Sequence, residues 1–263
     1  MRIRLLVLFL AVGGLLGCGS DDGSSSSDLD AVPQAGDRFE WQLTGYPPDL
    51  SSDAQTYDLD LFEAPDEAIA ELHERGVTVA CYFSAGTYED FREDAARFPE
   101  GARGEPLPDF PDEQWLDVRR IDDLAPVIEA RLDLCAERGF DAVELDNVDA
   151  YANDSGFDLT AEDQLAFNRW LAQESRERGL SPGLKGTAGL APQLVDDFDW
   201  SLVEQCIQYE ECDAFQPFVD AGKAVFVVEY EGTRDEVCSA AEDLPGMTVV
   251  RSTYDLDGPV EPC

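Results

Sequence analysis

The chain has 263 residues, 44% of them hydrophobic, enough for one full-sized globular core. Its 57 acidic residues against 18 basic ones give a formal net charge of -39, which excludes a nucleic-acid or anionic-membrane surface. Such a surface suits either a cationic substrate or high salt, where repulsion is screened.

Residues 1–18 have the layout of an export signal: Arg2 and Arg4, an apolar run from Leu5 to Leu16, then Leu15-Leu16-Gly17-Cys18. The run is short for a membrane span. It resembles a bacterial lipoprotein signal, which implies a lipidated Cys18 and a protein held at the cell envelope, outside the cytoplasm. Residues 19–37, opening with GSDDGSSSSD, are expected to be a flexible acidic and Ser-rich tether, and residues 38–263 the folded domain.

From Arg38 onward short apolar strands alternate with amphipathic helices. Strands are predicted near 39–43, 57–62, 77–84, 115–118, 140–146, 181–185, 200–206, 224–230 and 247–252. Helices are predicted over 66–75, 88–97, 122–138, 160–178, 191–197, 213–221 and 233–243. Thr160 and Asp163 resemble a capping box, and Gly179 supplies the stop of that helix. About eight βα repeats over this length predict a closed (β/α)8 TIM barrel, an α/β fold around a parallel sheet. With 39–43 taken as an N-terminal extra and 115–118 as a barrel strand, 140–146 becomes the fourth strand. Strand ends then bring Asp60, Ser84, Asp117, Asp146, Lys185, Glu204 and Glu229 to one rim, where such barrels keep their chemistry.

Six cysteines follow Cys18. An oxidising compartment allows them up to three bridges, and none of the spacings is CxxC, so zinc is not expected. Cys206 with Cys212 makes a short loop, and Cys238 with Cys263 could pin the C-terminus. Cys81 and Cys135 are open between a third bridge and buried free thiols. The single histidine, His73, lies in the helical pattern AIAELHERG, which removes Ser-His-Asp triads and His-based metal sites. No metal or cofactor is expected.

The stretch FDAVELDNVDAY at 140–151 ends a hydrophobic strand with Glu144, Asp146, Asn147 and Asp149. Carboxylates at the end of a core strand are costly to desolvate unless they face a polar cleft. Glu144 and Asp146 share a face, and Asp146, nearer the rim, is the better reacting group. Glu204, in WSLVEQC, reaches a comparable level two strands later. Two carboxylates from different strands are the minimum equipment for glycoside hydrolysis. Asp60, Asn147, Asp149 and Glu229 are candidates for binding sugar hydroxyls or an ammonium group, and Lys185 for a charge partner in the acidic rim. Trp41, Tyr82, Tyr88, Trp115 and Tyr151 are candidate sugar-stacking faces, two of the five being expected to serve.

WQLTG at 41–45, YDLDLF at 57–62, VACYFSAGTYEDFR at 79–92, WLDVR at 115–119, ELDNVDAY at 144–151, GLK at 183–185, EQCIQYEECD at 204–213 and GKAVFVVEY at 222–230 together resemble glycoside hydrolase family 114. That family is similar to endo-α-1,4-polygalactosaminidases built on a TIM barrel. The resemblance implies that Asp146 and Glu204 are the catalytic carboxylates. It implies an α-1,4-linked polysaccharide of cationic amino sugars as the substrate; the residues themselves offer Asp60, Tyr82, Asn147, Asp149, Lys185 and Glu229 as its binding candidates, with structural hydrogen-bonding or ion-pair roles as the alternative. Two positions depart from the family pattern: Gly186-Thr187 follows GLK where Asn and often Asp are usual, and Leu145 replaces a frequent Pro. The competing expectation is a cell-surface carbohydrate-binding barrel without turnover, against which the retention of both carboxylates argues.

Overall fold

The computed structural model describes residues 31–263, so the signal, Cys18 and the first part of the tether lie outside the described residues. The strands are β1 (Phe39–Gln42), β2 (Thr56–Asp60), β3 (Thr78–Ser84), β4 (Thr87–Glu89), β5 (Arg103–Pro106), β6 (Glu113–Leu116), β7 (Ala142–Asp146), β8 (Ser181–Lys185), β9 (Trp200–Glu204), β10 (Ala224–Glu229), β11 (Thr248–Arg251) and β12 (Glu261–Pro262). The helices are α1 (Asp66–Glu74), α2 (Ile121–Glu137), α3 (Ala161–Glu177), α4 (Ala191–Leu194), α5 (Gln216–Asp220) and α6 (Arg234–Ala241). One sheet runs in the order β1-β2-β3-β7-β8-β9-β10-β11-β12, all parallel except the last, antiparallel pair. It is a nearly closed barrel of the TIM type, with its helices outside.

Two departures from expectation cancel. The strand at 39–42 is the first barrel strand, because it pairs with β2 in register from Phe39↔Thr56 to Gln42↔Leu59. The segment expected as the third barrel strand is β6, which pairs antiparallel with β4 and β5 in a separate three-stranded sheet. β7 is therefore still the fourth strand of the barrel. The helix expected over 88–97 is replaced by β4 and a single short turn at Ala95–Arg97. Its charged residues are used in burial instead: Arg92 and Glu89 pair at 2.9 Å, and Asp94 receives two hydrogen bonds from Arg131, both at 2.9 Å.

Alternation along the strands sorts the side chains into two cores. Outward residues such as Leu59, Val143, Leu145, Val225 and Val227 pack under the helices. Inward residues, among them Phe39, Trp41, Ala142, Trp200, Leu202 and Phe226, fill the barrel. Phe39 stacks on Phe226 at 4.2 Å between ring centroids, and Trp200 meets Phe226 edge-on at 5.9 Å. Trp200 leaves no room on β8: a Cβ at Gly183 would stand 2.3 Å from its ring.

β1 and β11 are not joined by a strand ladder. The C-terminal segment bridges that seam: Val260 N donates to Glu40 Oε2 at 3.0 Å, and Leu43 N and Thr44 N donate to Leu256 O at 3.0 and 3.1 Å. Three disulfides are present, Cys81–Cys135, Cys206–Cys212 and Cys238–Cys263. The first resolves the open alternative in favour of a bridge, because Cys81 points outward from β3 onto the buried face of α2 with Cα atoms 6.0 Å apart. Thr160 and Thr233 both form full capping boxes, with Asp163 and Glu236. The last residues of the expected tether are already part of the barrel, since Gln34 bridges Lys223 just before β10 and Asp37 accepts the Thr56 hydroxyl at 2.9 Å.

Candidate active site

The carboxyl ends of the strands open into a cavity of about 380 Å³. At its floor the Lys185 ammonium, at the end of β8, stands 3.0 Å from Asp146 Oδ1, 2.8 Å from Glu204 Oε2 and 3.5 Å from Glu144 Oε1. Burial pulls this lysine down, but Asp146, Glu204 and Glu144 together outweigh it and hold the ammonium well above its ordinary range. Because one nitrogen touches both, the near oxygens of Asp146 and Glu204 are no further apart than the 3.0 and 2.8 Å contacts laid end to end. That limit on the nearest oxygens lies below the roughly 6.5 Å at which inverting carboxyl pairs begin.

Every contact to Asp146 comes from a donor. Besides Lys185 they are Asn147 N at 2.7 Å, Tyr82 OH at 3.1 Å and Asn147 Nδ2 at 3.3 Å. A carboxylate, which only accepts, satisfies all four. Glu204 is held through its other oxygen by the hydroxyl of Tyr230, and its side chain is 33% exposed, so one carboxyl is enclosed and the other reaches toward the opening.

The turns behind these side chains share a conformation. Asn147, Gly186 and Gln205, each next after a floor residue, have φ of 59°, 52° and 56°. A left-handed residue there turns the chain sharply off the strand while the preceding side chain stays aimed inward. The departure at Gly186 is thus conformationally equivalent to the usual Asn, since these two residue types best tolerate that region. Gly86 permits a further close approach: a Cβ there would lie 1.7 Å from Asn147 O.

The expected residues divide into those at the cavity and those elsewhere. Asp60, Tyr82, Asn147 and Lys185 line it with Asp146 and Glu204. Asp60 is engaged already, by Arg92 at 2.6 and 3.1 Å and by the backbone N–H groups of Phe62 and Glu63 at 2.8 and 2.9 Å. Asp149 and Glu229 do not line the cavity. Asp149 begins the turn at Ala150–Ala152, and Glu229 accepts Ile207 N at 2.8 Å, fixing the loop after β9. Burial raises both carboxyls above their ordinary range. Asp117, placed at the rim by the strand count, pairs with Arg119 at 2.8 Å away from the cavity. Of the five aromatic candidates, Trp41 and Tyr82 line the cavity, Trp41 as a buried part of the floor.

Sequence reasoning missed Tyr230, Glu63, Glu89, Arg92 and Glu113, and the exposed aromatic rims Phe91, Phe110 and Tyr254, all of which line the cavity. No sequence signal marked Tyr230, because both faces of β10 are apolar; in the structure Phe226, Val228 and Tyr230 point in and Glu229 points out. Glu89, Arg92 and Glu113 sit on or beside the small antiparallel sheet, whose β6 was counted into the barrel and whose β4 overlapped the helix expected over 88–97. Glu113 accepts the Thr87 hydroxyl at 2.9 Å, and burial, reinforced by Glu89, pushes it up to about 7.

The comparisons identify the family. The family model for glycoside-hydrolase family GH114 matches residues 21–263. The structure of Ega3 from Aspergillus fumigatus in complex with galactosamine is 36% identical, with a TM-score of 0.84, covering 89% of this chain and 98% of that one. The glycoside hydrolase domain of PelA from Pseudomonas aeruginosa shares the fold at 18% identity and a TM-score of 0.65, covering 83% of this chain and 95% of that one. No curated protein sequence matches. With a family match over nearly the whole chain, a close structural relative and a barrel rim that gathers two carboxylates around one lysine, this chain belongs to glycoside hydrolase family 114 and is a glycoside hydrolase.

Proposed function

We propose that the protein cleaves α-1,4 linkages inside a galactosamine-containing polysaccharide, with Asp146 as nucleophile and Glu204 as general acid/base, retaining anomeric configuration. The observation that carries this is the single Lys185 ammonium shared by both carboxyl groups, which supports the short separation that a covalent glycosyl-enzyme mechanism needs. Asp146, enclosed by donors on a strand end, is fixed for attack on the anomeric carbon. Glu204, more open and held by Tyr230, is placed to give a proton to the leaving oxygen and then take one from water. The Lys185 charge, fully matched by acids, steadies the pair rather than the sugar.

The substrate class is supported by Ega3, whose structure holds galactosamine, and by the charge of the cavity. Arg92 is matched by Asp60 and Glu89 and Lys185 by Asp146 and Glu204, which leaves Glu63, Glu113 and Asp255 in the lining in excess of the basic groups. Such a surplus favours ammonium groups along a chain. Phe91, Phe110 and Tyr254, about 60% exposed at the opening, offer faces for successive sugar rings. The protein is placed at the cell envelope through a lipid on Cys18.

The test is oligosaccharide release from partly deacetylated galactosaminoglycan, against chitosan and neutral galactan, with the product anomer followed by NMR. Asp146→Ala should lose turnover on every substrate. Glu204→Ala should keep activity on substrates with activated leaving groups and be partly rescued by azide. Full activity in either variant, or an inverted first product, would sink the assignment.

A further inference from the structure

Beneath Lys185 lies a pair of acids that this reaction does not use. Asp58 on β2 and Glu144 on β7 are both fully buried, and their carboxyl groups face each other closely enough for each to act on the other's charge. Trp41 Nε1 donates to Glu144 Oε2 at 3.1 Å. Neither oxygen of Asp58, nor Glu144 Oε1, receives a hydrogen bond from a donor group among the described residues, and Lys185 stands off from Oε1 at 3.5 Å. Two buried carboxyl groups in contact cannot both be charged without a large penalty. One proton between the two acids pairs Glu144 Oε1 with one oxygen of Asp58. Because Oε2 is occupied by the indole N–H, Oε1 is the oxygen of Glu144 free to carry such a proton toward Asp58.

We propose that Asp58 is a positioning residue for the hydrolysis: by accepting a hydrogen bond from Glu144 Oε1–H it keeps Glu144 neutral and reserves the Lys185 ammonium for Asp146 and Glu204. The proposal rests on the reading of Asp146 and Glu204 as the reacting pair. Lys185 has one charge for three carboxyl neighbours, and an ionised Glu144, the most buried of them, would draw it downward into the barrel. The groups facing Glu144 are Asp58 on β2, Trp41 on β1, Tyr82 on β3, Lys185 on β8, Tyr230 just after β10 and Asp146 on its own strand, and Asp58 also faces Asp60, Asp146 and Lys185. Burial, with the neighbouring Asp58 adding to it, pushes Glu144 well above the ordinary carboxyl range, in agreement with a retained proton.

The test compares Asp58→Asn, Glu144→Gln and the double variant in kcat, KM and pH–rate profile on deacetylated polymer, with thermal melting to verify folding. In Asp58→Asn the amide turns a donor toward Glu144, which then ionises and competes for Lys185. The expected result is a fall in kcat of about tenfold or more at nearly constant KM, with a displaced pH profile. Adding Glu144→Gln, neutral at every pH, should restore kcat to within about threefold of wild type, a rescue that a merely structural Asp58 would not allow. An equal or deeper loss in the double variant, or an undisplaced profile in Asp58→Asn, overturns the proposal. Should Asp58→Asn fail to fold, difference infrared spectroscopy of the wild type decides: a buried protonated carboxyl band that disappears in Glu144→Gln supports the pair, and its absence overturns it. A folded wild type that cleaves none of the polymers counts against the functional reading, and the infrared band then still decides whether Glu144 is held protonated.

Discussion

The hydroxyl of Tyr230 donates to Glu204 Oε1 while its ring stacks on Tyr254 at 4.3 Å between centroids. The contact fixes the rotamer of the more exposed carboxyl from the neighbouring strand end, and Tyr254 is itself held by Gln205 Nε2 at 3.2 Å. Tyr230→Phe keeps the stacked ring and removes only the donor. We expect kcat to fall about tenfold with little change in KM, since a misaligned proton donor costs the chemical step more than binding. Steady-state kinetics on the polymer checks this; a loss confined to KM would place Tyr230 in substrate binding instead.

Glu113 should matter in two measurements. With its carboxyl pushed from an ordinary 4.5 up to about 7, the folded protein holds this proton more tightly than the unfolded chain does. Its contribution to stability is therefore present below about 4.5 and is lost as pH rises through about 7. Melting curves of wild type and Glu113→Gln should show the wild type losing ground against the variant across that window. On the substrate side, Glu113→Gln should raise KM several-fold, roughly 3–10 times, for deacetylated polymer and leave acetylated polymer unaffected. Parallel pH curves for the two proteins would remove the first claim, and equal losses on both polymers the second.

The Cys81–Cys135 bridge ties β3 to the buried face of α2 across 54 residues of sequence. Closing a loop of that length restricts the unfolded chain by about 2–4 kcal/mol. Replacing both cysteines by Ala should lower the melting temperature by roughly 5–15 °C, and calorimetry of the double variant reads it directly. An unchanged melting temperature would mean that the bridge is not formed in the native protein.

Lipidation of Cys18 is tested by feeding labelled fatty acid to a bacterial host that processes lipoproteins. Label is expected on the full chain and not on a Cys18→Ser variant, which should be recovered in soluble form. Label on both proteins, or on neither, would count against the anchor.

Much of this molecule was legible where one physical signal acted alone. β7, β8 and β9 were recognised because an apolar run ended in a charged residue, and α3 because Thr160, Asp163 and Gly179 mark both of its ends. β10 shows the limit. Both of its faces are apolar, Val225 and Val227 outward, Phe226 and Val228 inward, so alternation could not tell which of Glu229 and Tyr230 enters the barrel. The segment 87–116 was misread because its charged residues are satisfied by partners distant in sequence. Arg131 is the clearest case: fully buried in α2, it pairs with Glu89 at 3.1 Å and Asp94 at 2.9 Å. The Asp58–Glu144 pair was equally hidden, since β3 lies between their strands and the register sets Glu144 level with Asp60, leaving Asp58 two residues lower.

The bridge between Gln34 and Lys223 lies where the chain enters the barrel, at the amino ends of the strands. The cavity opens at their carboxyl ends. A leash leaving from Gln34 thus departs from the pole opposite the catalytic mouth, so a protein moored by its N-terminus would present that mouth outward. It could graze polymer lying beyond the surface that holds it without turning over.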